Sequence, residues 1–133
     1  MNDTSPTITR FAGCLITDET GRILLMHRPQ KNEWELPGGS VEDDEPFEVA
    51  AARQMFEELG IDVEIEQDLG GTSFEARGST YEFHWFKATI LQGEPVPREH
   101  DQCDEAKYVS KHELSTMSNL SATLKQLLAD RQV

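Results

Sequence analysis

The chain has 133 residues, with 12 Lys or Arg against 25 Asp or Glu, a net charge of −13, and 37% hydrophobic and 28% charged residues. That length suits one compact domain, residues 1–133, and the longest apolar runs, Ile23 to Met26 and Val49 to Ala52, are far short of the ~20 residues that cross a bilayer, so no membrane partner is expected. The acid excess argues against double-stranded nucleic acid, whose phosphates are held by Lys and Arg, and leaves metal cations allowed.

In chain order, Met1 to Arg10 is polar and lacks the basic and apolar regions of a secretory signal, so a cytoplasmic location is expected, with Cys14 and Cys103 kept as thiols. Thr7 to Thr17 reads as a strand, Asp18-Glu19-Thr20-Gly21 as a turn and Arg22 to Arg28 as a second strand, together a hairpin ended by Pro29. Trp34-Glu35-Leu36 is a short extended stretch. It leads into Pro37-Gly38-Gly39, a special backbone turn in which glycine allows positive φ or a close approach to the main chain. Pro46 to Leu59 is the clearest helix, with Pro in its first turn, Glu48 placed to cap and Gly60 as the stop.

Ile61 to Ala76 and Thr80 to Leu91, rich in β-branched and aromatic residues and parted by Arg77-Gly78-Ser79, form a second, long hairpin. Tyr81, Phe83 and Trp85 share one of its faces, which alternation assigns to the core, with base stacking as the alternative. After the acidic loop Glu99 to Glu105 come a strand at Ala106 to Val109 and helical patterns over Lys111 to Met117 and Ser121 to Arg131. Strands and helices interleave, so the fold class is α/β, a mixed sheet covered by helices.

The chemistry concentrates on the helix. At about 100° per residue, Phe47, Val49, Ala51, Ala52, Met55, Phe56 and Leu59 fill an arc of roughly 200°, expected to be buried. The other arc holds Ala50, Arg53, Gln54, Glu57 and Glu58. Arg53 can pair with Glu57 at i+4 but cannot also neutralise Glu58, which makes a divalent cation a natural partner. Oxygen-only ligands suit Mg2+, or Mn2+, sharing its shell with water and phosphate oxygens. The acids at Glu42 to Glu45 do not follow the alternating ligand spacing of a calcium-binding EF-hand loop.

Gly39, five residues, Glu45, seven residues, then Arg53-Gln54-Met55-Phe56-Glu57-Glu58-Leu59-Gly60-Ile61 resembles the signature box of the Nudix hydrolases at eight of nine specified positions. The lead-in Trp34 to Gly39, and Leu24-Leu25 with Arg28, resemble the usual approach to that box. The resemblance implies an α/β/α sandwich that hydrolyses a pyrophosphate bond in a nucleoside diphosphate derivative, with water as nucleophile and Mg2+ bridging phosphate oxygens. It further implies that Glu57, Glu58 and the Gly38 carbonyl are metal ligands, that Arg53 and Glu45 form an orienting pair, and that Gly39 keeps the loop close to the helix on the substrate side. Arg28 and Arg77 are candidates for phosphate contact.

The departure from the pattern is Gln54, which stands where the family has a Glu that can bind metal or act as base. An amide cannot accept a proton, although its carbonyl oxygen can still ligate a metal. The base is therefore sought on the later acidic loop, with Glu105 first and Glu99 and Asp101 behind it; His100 is the one histidine given weight. The expected substrate is a small nucleotide, a MutT-like nucleoside triphosphate ahead of ADP-ribose or another nucleotide sugar, acted on by a monomer or homodimer. The alternative is a nucleotide-binding or regulatory module in which Gln54 has cost the turnover.

Overall fold

The computed structural model describes residues 7–98 and 100–131. Its elements in order are β1 (Thr7–Leu15), β2 (Ile23–Arg28), β3 (Glu33–Glu35), β4 (Gly38–Ser40), α1 (Phe47–Leu59), β5 (Asp62–Ala76), β6 (Ser79–Gln92), β7 (Glu105–Val109), α2 (Lys111–Thr116) and α3 (Ala122–Arg131). They form a mixed sheet in the order β4-β1-β6-β5, in which β1 runs parallel to β6, and an antiparallel sheet in the order β3-β2-β7.

Alternation along the strands sends side chains to two opposite cores, because successive residues of a strand point to opposite faces. Ala12 and Cys14 of β1, Leu24 and Met26 of β2, and Phe86 and Ala88 of β6 pack with Ala51, Met55 and Leu59 of α1. Leu15, Ile23, Leu25, Trp85 and Val109 face the other way, onto Leu114 of α2 and Leu124 and Leu127 of α3. This is the expected α/β sandwich of sheet between helices. Cys14 and Cys103 are buried free thiols, and burial pushes the Cys14 pKa up to about 12. Among the described residues no helix is long and apolar enough to cross a membrane.

The long hairpin is β5 with β6, turning at Arg77 (φ 54°) and Gly78 (φ 78°), both left-handed as tight hairpin turns require. The first expected hairpin forms only at its tip. The turn at Asp18 to Gly21 is closed by Gly21 N–H to the Asp18 carbonyl, and the Thr17–Ile23 bridge beside it is flanked by Asp18 N–H to the Arg22 carbonyl and Leu24 N–H to the Ile16 carbonyl, but β1 and β2 then diverge into different sheets. The apolar pattern of β1 and β2 was compatible with pairing to any strand: β1 takes β4 and β6, and β2 takes the adjacent β3 and the distant β7.

The buried face of α1 is also rotated from the expected arc. Val49 and Phe56 are 51% and 52% exposed, whereas Ala50, Gln54 and Glu58 are buried. The helix packs on β1, β5, β6 and the short β4 together, and the contact with β4 draws the polar edge of the helix inward. Gly60 ends the helix at φ 70°, and backbone N–H groups of Val96 and Arg98 satisfy the Leu59 and Glu58 carbonyls, so the C-terminal turn is held under the 94–98 segment.

Candidate active site

Pro37-Gly38-Gly39 is an edge strand rather than a left-handed turn: Gly38, Gly39 and Ser40 pair antiparallel with Gly13, Ala12 and Phe11. Glycine is required there by close approach. A Cβ on Gly38 would lie 2.5 Å from the Ala12 carbonyl oxygen and 2.7 Å from Gly13 Cα, and one on Gly39 would lie 2.4 Å from Gln54 Oε1. Two adjacent glycines thus let β4 press against β1 on one side and α1 on the other, which brings the Gly38 carbonyl next to the carboxylates of the helix.

Arg53 ties the loop before the helix to the helix itself. Its Nε and Nη2 donate to both oxygens of Glu45 at 2.8 and 2.9 Å, Nη2 also donates to the Ser40 carbonyl at 2.9 Å, and Nη1 donates to Glu57 at 2.9 Å. The fork geometry of a guanidinium is what permits all four. In return Arg53 holds the Glu45 carboxyl below its ordinary range, and the Glu45 hydrogen bonds keep Arg53 firmly charged. Arg53 and Glu45 are therefore an ion pair, with Glu57 as a third member.

Gln54 is buried and turns its amide inward, Nε2 donating to the Ser40 carbonyl at 2.9 Å while Oε1 sits against Gly39. Glu58, also buried, is reached by Arg28 Nη1 at 3.4 Å. Arg28 is itself inside the site, with 15% of its side chain exposed. Its Nε donates to Glu35 at 2.5 Å, Nη2 to the Gly38 carbonyl at 2.6 Å and Nη1 to the Gln102 carbonyl at 3.0 Å. Any contact of Arg28 with a phosphate has to compete with these partners.

These groups line a cleft of about 720 Å³, a size that suits a small-molecule ligand. Its lining includes Gly38, Gly39, Gln54, Glu57, Glu58, Arg53 and Arg28, with Lys31 and Gln102 and the aromatic Phe11, Phe74, Phe83 and Trp85. The aromatic stripe on β6 is thus not simply core. Trp85 is buried, but Phe83 is only partly so and stacks between Phe11 and Phe74 with ring centroids 4.8 and 5.8 Å away. Sequence reading missed Phe11, Phe74, Lys31 and Glu35, none of which carries a local signal for the cleft.

The later acidic loop enters the cleft through Gln102 rather than through an acid. Glu105 opens β7 opposite His27, outside that lining, and so are the exposed His100 and Asp101; Glu99 lies outside the described residues. Asp104 is engaged with His27, whose Nδ1 it meets at 2.6 Å while Asn32 meets Nε2 at 2.8 Å. Arg77 is exposed at the far hairpin tip and is not part of the lining.

The donors fit a hard dication. Glu57, Glu58, Gln54 and Gly38 all line the cleft, and each carries an oxygen that such an ion could use. Among the described residues there is no group of three or more His, Cys, Asp or Glu side chains that could hold a metal, so a cation here would keep part of its shell for water and phosphate.

The pattern of the NUDIX domain family matches residues 7–130. The chain belongs to the NUDIX family. The chain is 29% identical to a MutT NUDIX hydrolase from Burkholderia pseudomallei, with a TM-score of 0.82 over 94% of this chain and 98% of that one. It is 25% identical to the MutT protein of Methanosarcina mazei, with a TM-score of 0.81 over 96% of each. Among curated relatives it is 32% identical to the CTP pyrophosphohydrolase of Escherichia coli over 64% of this chain and 66% of that protein. It is 41% identical to an 8-oxo-dGTP diphosphatase of Proteus vulgaris over 40% of this chain and 51% of that protein. The matched regions thus span less than two thirds of these curated relatives' length.

Proposed function

We propose that the protein is a divalent-cation-dependent pyrophosphohydrolase of nucleoside triphosphates, with water as nucleophile, acting in the cytoplasm as a monomer or homodimer. The observation that carries this is that Glu57, Glu58, Gln54 and Gly38 line one cleft together with the aromatic Phe11, Phe74, Phe83 and Trp85. A bound Mg2+ or Mn2+ supplies charge neutralisation on the phosphate oxygens. Arg53 fixes Glu57, Lys31 offers a further positive charge, and Phe83 with its stacked neighbours presents π-faces to a base. Neither Glu105 nor Asp101, sought as general base on the later loop, lines the cleft, whereas Glu57 does, which makes Glu57 the better candidate for that role. The nucleotide triphosphates named for the two curated relatives support this substrate class ahead of ADP-ribose.

The test is release of pyrophosphate or phosphate from a panel of nucleoside triphosphates, their oxidised forms and ADP-ribose, with Mg2+, Mn2+ or EDTA. Metal-dependent cleavage of a triphosphate is expected; binding without cleavage of any member sinks the proposal and leaves a nucleotide-binding module.

Gln54→Glu separates the structural and chemical roles of that position. The carboxylate cannot donate to the Ser40 carbonyl, which keeps only its bond from Arg53 Nη2, and the lost hydrogen bond costs about 0.5–1.5 kcal/mol. Unfolding in EDTA is therefore expected at lower urea than for the unmodified chain. With Mg2+ present the added charge restores stability and raises turnover several-fold. Unchanged stability in EDTA would show that the Gln54–Ser40 bond contributes nothing.

A further inference from the structure

Two of the donors assigned to the cation already have a cationic partner. Arg28 Nη2 lies 2.6 Å from the Gly38 carbonyl oxygen and Nη1 lies 3.4 Å from Glu58 Oε1. The remaining bonds of the same guanidinium go to groups outside that donor set, Glu35 at 2.5 Å and the Gln102 carbonyl at 3.0 Å. We propose that Arg28 is a built-in counter-cation, holding the Gly38 carbonyl and Glu58 while no dication is present, and that it has to give them up for a dication to bind. The inference rests on the metal reading of the preceding subsection and adds to it what sets the affinity of the site.

Glu58 and Glu35 are carboxylates of low exposure that both reach the Arg28 guanidinium, and their repulsion needs a positive charge between them. Arg28 supplies it. Burial works against its charge, yet Glu58 and Glu35 outweigh burial and hold the guanidinium protonated. Once a dication approaches the same oxygens, a fixed unit charge a few ångströms away repels it, and low exposure leaves that repulsion weakly screened. The two anchors let the side chain yield. The short bond to Glu35 and the bond to Gln102 can persist while the contact with Glu58, already the longest of the four, is lost. Affinity for the cation is then set by competition rather than by the number of ligands alone.

Mn2+ alone, titrated into the full chain without nucleotide and followed by the loss of free-ion electron paramagnetic resonance signal, tests this. Arg28→Met is expected to bind Mn2+ about tenfold more tightly than the unmodified chain. Glu58→Gln is the control and is expected to lose binding. Should Glu58→Gln bind Mn2+ as the unmodified chain does, the ion is not held by this helix and the metal reading itself falls. If Glu58→Gln loses binding while Arg28→Met binds no more tightly, only the displacement of Arg28 is overturned. Where Arg28→Met fails to fold, a crystal structure of the unmodified chain with Mn2+ decides. The Nη2 to Gly38 distance is expected to open beyond hydrogen-bonding range, and a bond kept near 2.6 Å with the ion on Glu58 overturns the inference.

Discussion

Glu58→Gln is expected to lower metal-dependent nucleotide hydrolysis by about 10³-fold while the protein stays folded. The substitution keeps the shape of the side chain and removes its charge, so the change falls on electrostatics. A charged ligand that fixes a cation over a transferring phosphoryl group is worth several kcal/mol, and roughly 4 kcal/mol corresponds to three decades of rate. Stability should fall much less. Breaking a buried ion pair can cost ~3–5 kcal/mol when the remaining charge is stranded, but Arg28 keeps Glu35 and the carbonyls of Gly38 and Gln102, so a loss of about 1 kcal/mol is expected. Initial rates over a Mg2+ series and urea unfolding read the two effects separately. A rate within tenfold of the unmodified enzyme would remove Glu58 from the cation site. Glu57→Gln should be milder in stability still, because Glu57 is half exposed and Arg53 retains its bidentate bond to Glu45.

The parts of this site that the sequence revealed are those encoded by short-range spacing. Glu57 and Glu58 follow one another on a helix whose stop, Gly60, is visible in the sequence, and the i+4 relation of Arg53 to Glu57 appears as an ion pair. The buried side of that helix does not follow its hydrophobicity. Val49 and Phe56 lost that competition to Gln54 and Glu58, since β4 presses its glycines against the polar edge of the helix and a cleft needs polar groups turned inward. The strand partners were hidden for a related reason. Alternation says which residues share a face but not which strand lies alongside, so β1 was paired with its neighbour in sequence rather than with β6, some seventy residues on. Arg28 carried no sign that its guanidinium serves Gly38, Glu35 and Gln102, because the 35–38 stretch and the loop at Gln102 are brought to it only by the fold.

Gly38→Ala should be strongly destabilising. The added Cβ would meet backbone atoms on both counts, the Ala12 carbonyl oxygen at 2.5 Å and Gly13 Cα at 2.7 Å, and backbone in a paired strand cannot rotate away as a side chain can. Overpacking of this kind costs about 1–3 kcal/mol where neighbours can shift. Gly13 cannot retreat, since its own hydrogens already face Trp85 and the Pro37 carbonyl, where a Cβ would come within 2.4 and 2.6 Å. The expected loss is therefore at the top of that range, about 3 kcal/mol, measured as a fall in the urea midpoint without a change in slope. Gly39→Ala offers the contrast. Its Cβ collides with the amide of Gln54, a side chain, so Gln54→Ala in the same chain should recover much of the lost stability, whereas it should recover none of the loss caused by Gly38→Ala. Equal rescue of both would mean that β4 is displaced as a unit and that its fit against β1 does not fix the position of the Gly38 carbonyl.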